Sequence, residues 1–149
     1  MKPGQIPEAL KIPSVEIEAA YREAFRLPFS FWWHIFRFPR NDSIFLADAC
    51  YMEADEELIQ MILDADLGDR EEYEAEEFDC DDFAFRLMGI FHQNRETAAM
   101  PIFITWVSWP GAAHAVLSYY YDDQVRIIEP QNDRVFPVPE DWSLILLVG

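Results

Sequence analysis

The run His114-Ala115-Val116-Leu117-Ser118-Tyr119-Tyr120-Tyr121, followed by Asp122-Asp123 and then Gln124-Val125-Arg126-Ile127-Ile128-Glu129, decides how the fold is read. Side chains along a strand alternate between two faces, so His114, Val116, Ser118 and Tyr120 share one face while Ala115, Leu117, Tyr119 and Tyr121 share the other. Asp122-Asp123 marks a tight turn, and antiparallel pairing across it brings Glu129 near His114. Ile102 to Trp109 and Leu144 to Val148 have the same β-branched and aromatic character, with Pro110-Gly111 and Pro130-Gln131-Asn132-Asp133 as the intervening breaks. Upstream, Asp81 to Phe91 places Phe83, Ala84, Leu87, Met88 and Ile90 at helical spacing. A helix followed by an antiparallel meander predicts an α+β fold.

The chain has 149 residues, the length of one ordinary domain, and 51% of them are hydrophobic, enough for a packed core. A single domain over residues 1–149 is therefore expected, and intrinsic disorder is not. Its formal charge of -17 repels phosphate backbones, which argues against direct nucleic-acid binding and against anionic membranes, and favours metal cations and basic protein partners. The charge is concentrated. Residues 48–82 hold sixteen acids and one base, and they include Leu58, Ile59, Met61, Ile62 and Leu63 at helix-like spacing, so this zone reads as an amphipathic helix plus an acidic loop.

Residues 1–47 open with Pro3, Pro7 and Pro13, continue as a helical pattern from Val15 to Phe25, and stop at Pro28. Phe29, Phe31, Trp32, Trp33, Phe36 and Phe38 follow, a stretch expected to be buried core, with a docking surface rimmed by Arg26, Arg37 and Arg40 as the alternative. This aromatic-rich stretch falls short of the roughly 20 residues that span a bilayer, so no membrane span is expected. Two cysteines, Cys50 and Cys80, are too few for a disulfide scaffold, and the start of the chain has no export-signal pattern; a reducing, cytoplasmic location is the expectation.

Chemistry concentrates at Asp79-Cys80-Asp81-Asp82. Asp79 suits an N-cap and Asp82, three residues on, completes a capping box, which places Cys80 in the first helical turn. Free N–H groups and the helix dipole there favour a thiolate, while the flanking carboxylates oppose it, so a nearby imidazolium is needed and His114 is the candidate. Cys80, His114 and Glu129 in that order suit a nucleophile, a base and an orienting carboxylate. Cys50, His34 and His92 are read as structural. Asp79, Asp81 and Asp82, with Glu76 and Glu77 before them, are candidate ligands for a hard cation such as calcium, although the spacing is not that of an EF-hand and capping explains the acids equally well.

Phe78-Asp79-Cys80-Asp81-Asp82-Phe83-Ala84, Ala113-His114-Ala115-Val116 and Glu129-Pro130-Gln131 together resemble the papain-like cysteine peptidase domain of the chimeric mushroom agglutinins and their bacterial and phage relatives, and more distantly the transglutaminase-like branch of that superfamily. The resemblance covers about Tyr73 to Gly149, leaving residues 1–47 unassigned. It implies a nucleophile helix packed on an antiparallel sheet, with Cys80 as nucleophile, His114 as general base and acid, and Glu129 holding the imidazole. A thiol hydrolase or acyltransferase acting on protein or peptide amides follows from it, and calcium dependence is carried over with it. Two places depart from the pattern: Glu74 stands where an oxyanion glutamine is usual, and Ala113 precedes the histidine in place of glycine. The alternative is an inactive scaffold of the same kind whose acidic face binds a basic partner; a cell-wall amidase is a third reading, set against which Glu129 stands where a second histidine is usual.

Overall fold

The computed structural model describes residues 11–27, 43–75 and 78–149. The aromatic stretch from Phe29 to Phe38, with Arg37 and Arg40, lies outside the described residues, as do Glu76 and Glu77. Strand β1 (Lys11–Pro13) leads directly into helix α1 (Ser14–Ala24), and β1 pairs antiparallel with β3 (Cys50–Met52) in a small separate sheet. Helix α2 (Glu56–Ala65) starts at Asp55, whose carboxylate accepts the Leu58 backbone N–H at 3.0 Å. Helix α3 (Cys80–Phe91) starts at the expected capping box, with the Asp79 N–H donating to Asp82 Oδ2 at 3.2 Å. The four-residue α4 (Arg95–Ala98) follows.

The main sheet has six strands in the order β2-β8-β4-β5-β6-β7, where β2 is Ile44–Phe45, β4 Ile102–Trp109, β5 Ala112–Tyr121, β6 Gln124–Glu129, β7 Arg134–Pro137 and β8 Ser143–Val148. The meander β4-β5-β6-β7 is antiparallel throughout, and β8 adds to the free side of β4. The β5–β6 turn is built by Asp122 and Asp123, both in the left-handed region (φ 48° and 59°), the geometry of a two-residue hairpin whose twist matches its strands. The expectation of an all-antiparallel sheet under one helix is corrected here. The sheet is mixed, because β2 runs parallel to β8, with Ile44 opposite Leu147 and Phe45 opposite Val148. Both faces of the sheet are also covered, α1 lying on one and α2 and α3 on the other.

Strand β5 is the common wall of two cores. Ala115, Leu117 and Tyr119 pack with Ile59, Leu63, Ala84, Leu87 and Phe91 from α2 and α3. Val116 and Tyr120 pack with Ile17, Tyr21 and Phe25 of the α1 segment and with Phe103, Ile127 and Leu147. Large apolar side chains buried on both faces explain why this strand reads as a nearly continuous hydrophobic run, and truncating any of them to alanine costs about 2–5 kcal/mol. Within the α1-side core sits a buried chain of hydroxyls: Tyr21 Oη lies 2.7 Å from Ser118 Oγ, which lies 2.6 Å from Thr105 Oγ1. Burial pushes the Tyr21 phenol far above its ordinary value, so it stays a neutral hydrogen-bonding group. Ser118→Ala removes the middle member, leaving the buried Tyr21 hydroxyl without its partner and Thr105 Oγ1 with only its 3.5 Å bond to the Phe103 carbonyl. The expected loss is about 1–3 kcal/mol in urea unfolding, with Tyr21→Phe alone costing less; equal stability of Ser118→Ala and the parent contradicts this network.

Candidate functional site

The Pro110-Gly111 turn delivers the chain from β4 into β5, and Gly111 at φ 91° occupies a conformation that side chains rarely adopt. His114 follows three residues later, opposite Val107 of β4. The register Leu117 to Ile128 sets Glu129 one step beyond, diagonal to His114 on the same face. The expected approach is realised: His114 Nε2 lies 2.7 Å from Glu129 Oε2, with each side chain only 15% exposed. The other Glu129 oxygen accepts the Gln131 N–H at 3.3 Å, so the carboxylate is fixed from two sides.

Beside this pair runs an unbroken aromatic row. The His114 ring meets Trp109 edge-on at 6.2 Å, Trp109 stacks on Trp142 at 5.3 Å with 11° between the planes, and Phe136 meets Trp142 edge-on at 5.9 Å. Trp109, Trp142 and Phe136 are each partly open to solvent. By strand alternation, His114 and Glu129 belong to the face that carries Val116 and Ile127, the α1 side of the sheet. The row sets half-buried indoles beside a charge-capable polar pair, combining apolar faces with a few fixed hydrogen-bonding groups, the make-up that ligand sites in general use.

Cys80 has different surroundings. It opens α3 and packs at the margin of the core made with Ala115 and Leu117, on the other face. Cys80 and Cys50 are both free thiols, and among the described residues no hydrogen bond joins Cys80 to His114 or Glu129. The structure therefore brings together two of the three proposed catalytic residues and leaves the thiol at the helix start. Of the cation candidates, Asp79, Cys80 and Asp81 each place one donor atom within 4.8 Å of the others, while Asp82 is engaged by the Asp79 backbone. Two carboxylates and a thiol are a poor match for calcium, which takes six to eight oxygens. A hydrogen bond from Asp79, with burial second, raises the Asp81 carboxyl above its ordinary value.

The fold is a mixed six-stranded sheet with helices on both faces, and comparison with solved structures agrees on it. A chain described as the PSL1a-E64 complex superposes with a TM-score of 0.73 at 20% identity, over 94% of this chain and 51% of that one. A second, the Polyporus squamosus lectin bound to the human-type influenza-binding epitope Neu5Acα2-6Galβ1-4GlcNAc, gives 0.71 at 21% identity, over 94% and 50%. The present chain spans about half the length of these structures. No protein-family model and no curated protein matches it.

These findings correct the reading by resemblance. The structures that share the fold are those of a lectin, so the papain-like or transglutaminase-like α+β assignment gives way, and with it the cysteine peptidase, thiol hydrolase and inactive-scaffold functions. The motif residues occur in the expected order; the structure joins His114 to Glu129 and places Cys80 at the margin of the core on the α3 side. No helix among the described residues is long and apolar enough to cross a membrane.

Sequence alone does not single out Trp142 as a site residue, nor its pairing with Trp109. Their contact spans 33 positions and no local spacing announces it. Sequence likewise does not single out the Arg86–Asp66 ion pair, 2.8 Å long, which leaves the Asp66 side chain 1% exposed.

The raised Asp81 carboxyl has a testable consequence. Folding favours its protonated form, so the associated stability is present at low pH and is lost as the pH rises from about 4, its unfolded value, through the higher folded one. Carboxyl-carbon NMR should place the Asp81 midpoint above that of an exposed aspartate, and Asp79→Asn should return it toward the ordinary value. A midpoint indifferent to Asp79→Asn contradicts Asp79 as the source of the shift.

Proposed function

We propose that this chain is a carbohydrate-binding domain whose ligand lies on the Trp109–Trp142 shelf and hydrogen-bonds to the His114–Glu129 pair. One observation carries the reading: stacked, half-open indoles adjoin a carboxylate already held in place by His114 and by the Gln131 N–H. The apolar face of a pyranose ring packs on an indole, and sugar hydroxyls donate to the remaining lone pairs of Glu129. Preorganisation matters, because a carboxylate fixed in advance loses little freedom on binding. The oligosaccharide bound by one structural neighbour supports the ligand class. With a formal charge of -17 and an acceptor at the site, an uncharged saccharide suits this chain better than an acidic one.

The test is titration of tryptophan fluorescence with Galβ1-4GlcNAc and with its sialylated form. A saturable change is expected, tighter for the uncharged sugar. Trp109→Ala and Glu129→Gln should each weaken binding at least tenfold, about 1.4 kcal/mol. Phe85→Ala, at an exposed position on the other face, should leave it unchanged. Absence of any saturable change, or equal affinity in Trp109→Ala, overturns the reading.

A further inference from the structure

On the side of the sheet away from the tryptophan shelf, α2 and α3 enclose an open groove of about 650 Å³ lined by Ile62, Ala65, Leu67, Gly89, Ile90 and Gln93. Its floor contains two small residues, Ala65 and Gly89, one from each helix. Gly89 lies inside α3, where glycine is less favourable than every residue but proline, and a Cβ built there meets nothing within 4 Å. Nothing in the packing of the described residues calls for a glycine at that place. Its absent side chain leaves space for an object approaching from outside.

The walls and rim indicate what kind of object. Leu67 in the lining is 54% exposed and Met61, one helical turn before Ala65 on α2, is 68% exposed, both large apolar side chains with nothing over them among the described residues. Glu57 stands four residues before Met61 and eight before Ala65, on the same stripe of α2. Asp64, Glu71 and Glu72 are exposed nearby in sequence, within the 48–82 zone of sixteen acids and one base. The one cation in the lining, Arg86, is neutralised by Asp66 at 2.8 Å. Gly68 permits that pair, since a Cβ there would collide with the Arg86 guanidinium.

From the small-residue floor, the uncovered apolar walls and the acidic rim we infer that the α2–α3 groove docks a basic amphipathic helix of a partner protein. Such a helix lays its apolar stripe into the groove over Gly89 and directs lysines and arginines at the rim. The closest approach of the two backbones falls at Ala65 and Gly89, where side chains are smallest. The carboxylates steer the encounter and set its salt dependence.

The probe is a fluorescein-labelled peptide of two copies of Leu-Lys-Lys-Leu-Leu-Lys-Leu, followed by fluorescence anisotropy against a scrambled peptide of the same composition that cannot form an apolar stripe. The amphipathic peptide should bind at least tenfold tighter than the scramble. Gly89→Leu, which adds a good helix former in open space, should abolish that preference while circular dichroism shows an unchanged fold. Met61→Lys should weaken binding by a similar factor. Equal binding of the two peptides, or a preference that survives in folded Gly89→Leu, shows only diffuse attraction to an acidic surface and overturns the proposal. The saccharide titration reports on the opposite face, so the two proposals fail independently.

Discussion

The constraint on which this structure depends is the double burial of β5. A strand with one wet face tolerates errors of register at that face; one buried on both faces does not, because a slip of one residue exchanges the contents of two cores. Ala115, Leu117 and Tyr119 fit between α2 and α3, where an alanine next to α3 allows close packing, while Val116, Ser118 and Tyr120 meet α1. The hydroxyl chain through Ser118 reinforces this choice, since its three members satisfy one another only when Ser118 faces Tyr21.

The site follows from that constraint. With β5 fixed in register, His114 must emerge on the α1 side just where the strand leaves the core, and the tight Asp122-Asp123 turn fixes Glu129 diagonal to it. The pair is thus positioned by strands and not by loops, which gives it the precision of the sheet. Trp109 comes from the end of β4 on the same turn, and Trp142 arrives just before β8, closing the row from a distant part of the chain. Two tyrosines next along β5 tie the helices down: Tyr119 donates to Glu56 at 2.8 Å and Tyr120 to Glu16 at 2.9 Å, burial raising both phenols above their ordinary values.

What could be read in the sequence was local. The hairpin, its turn, the cap at Asp79–Asp82 and the approach of Glu129 to His114 are all consequences of period and turn chemistry within a few dozen residues, and each is present. What was not readable depends on contacts without local signature. The parallel addition of Ile44 to Leu147 and the Trp109–Trp142 stack bring together residues whose separation in sequence gives no hint of their meeting. The peptidase reading rested on a cysteine, a histidine and a glutamate in a familiar order, which states the residue types available and not the fold that the solved structures share.

The central claim is that ligand contacts converge on the α1 side of the sheet at His114, Glu129 and the tryptophan shelf. Its most direct measurement is a two-dimensional NMR titration with Galβ1-4GlcNAc of protein labelled in its histidine and tryptophan rings and its cysteine methylenes. The account predicts that the His114, Trp109 and Trp142 ring signals move together with one dissociation constant while the Cys80 methylene stays still. Movement of Cys80 with stationary tryptophans would contradict it.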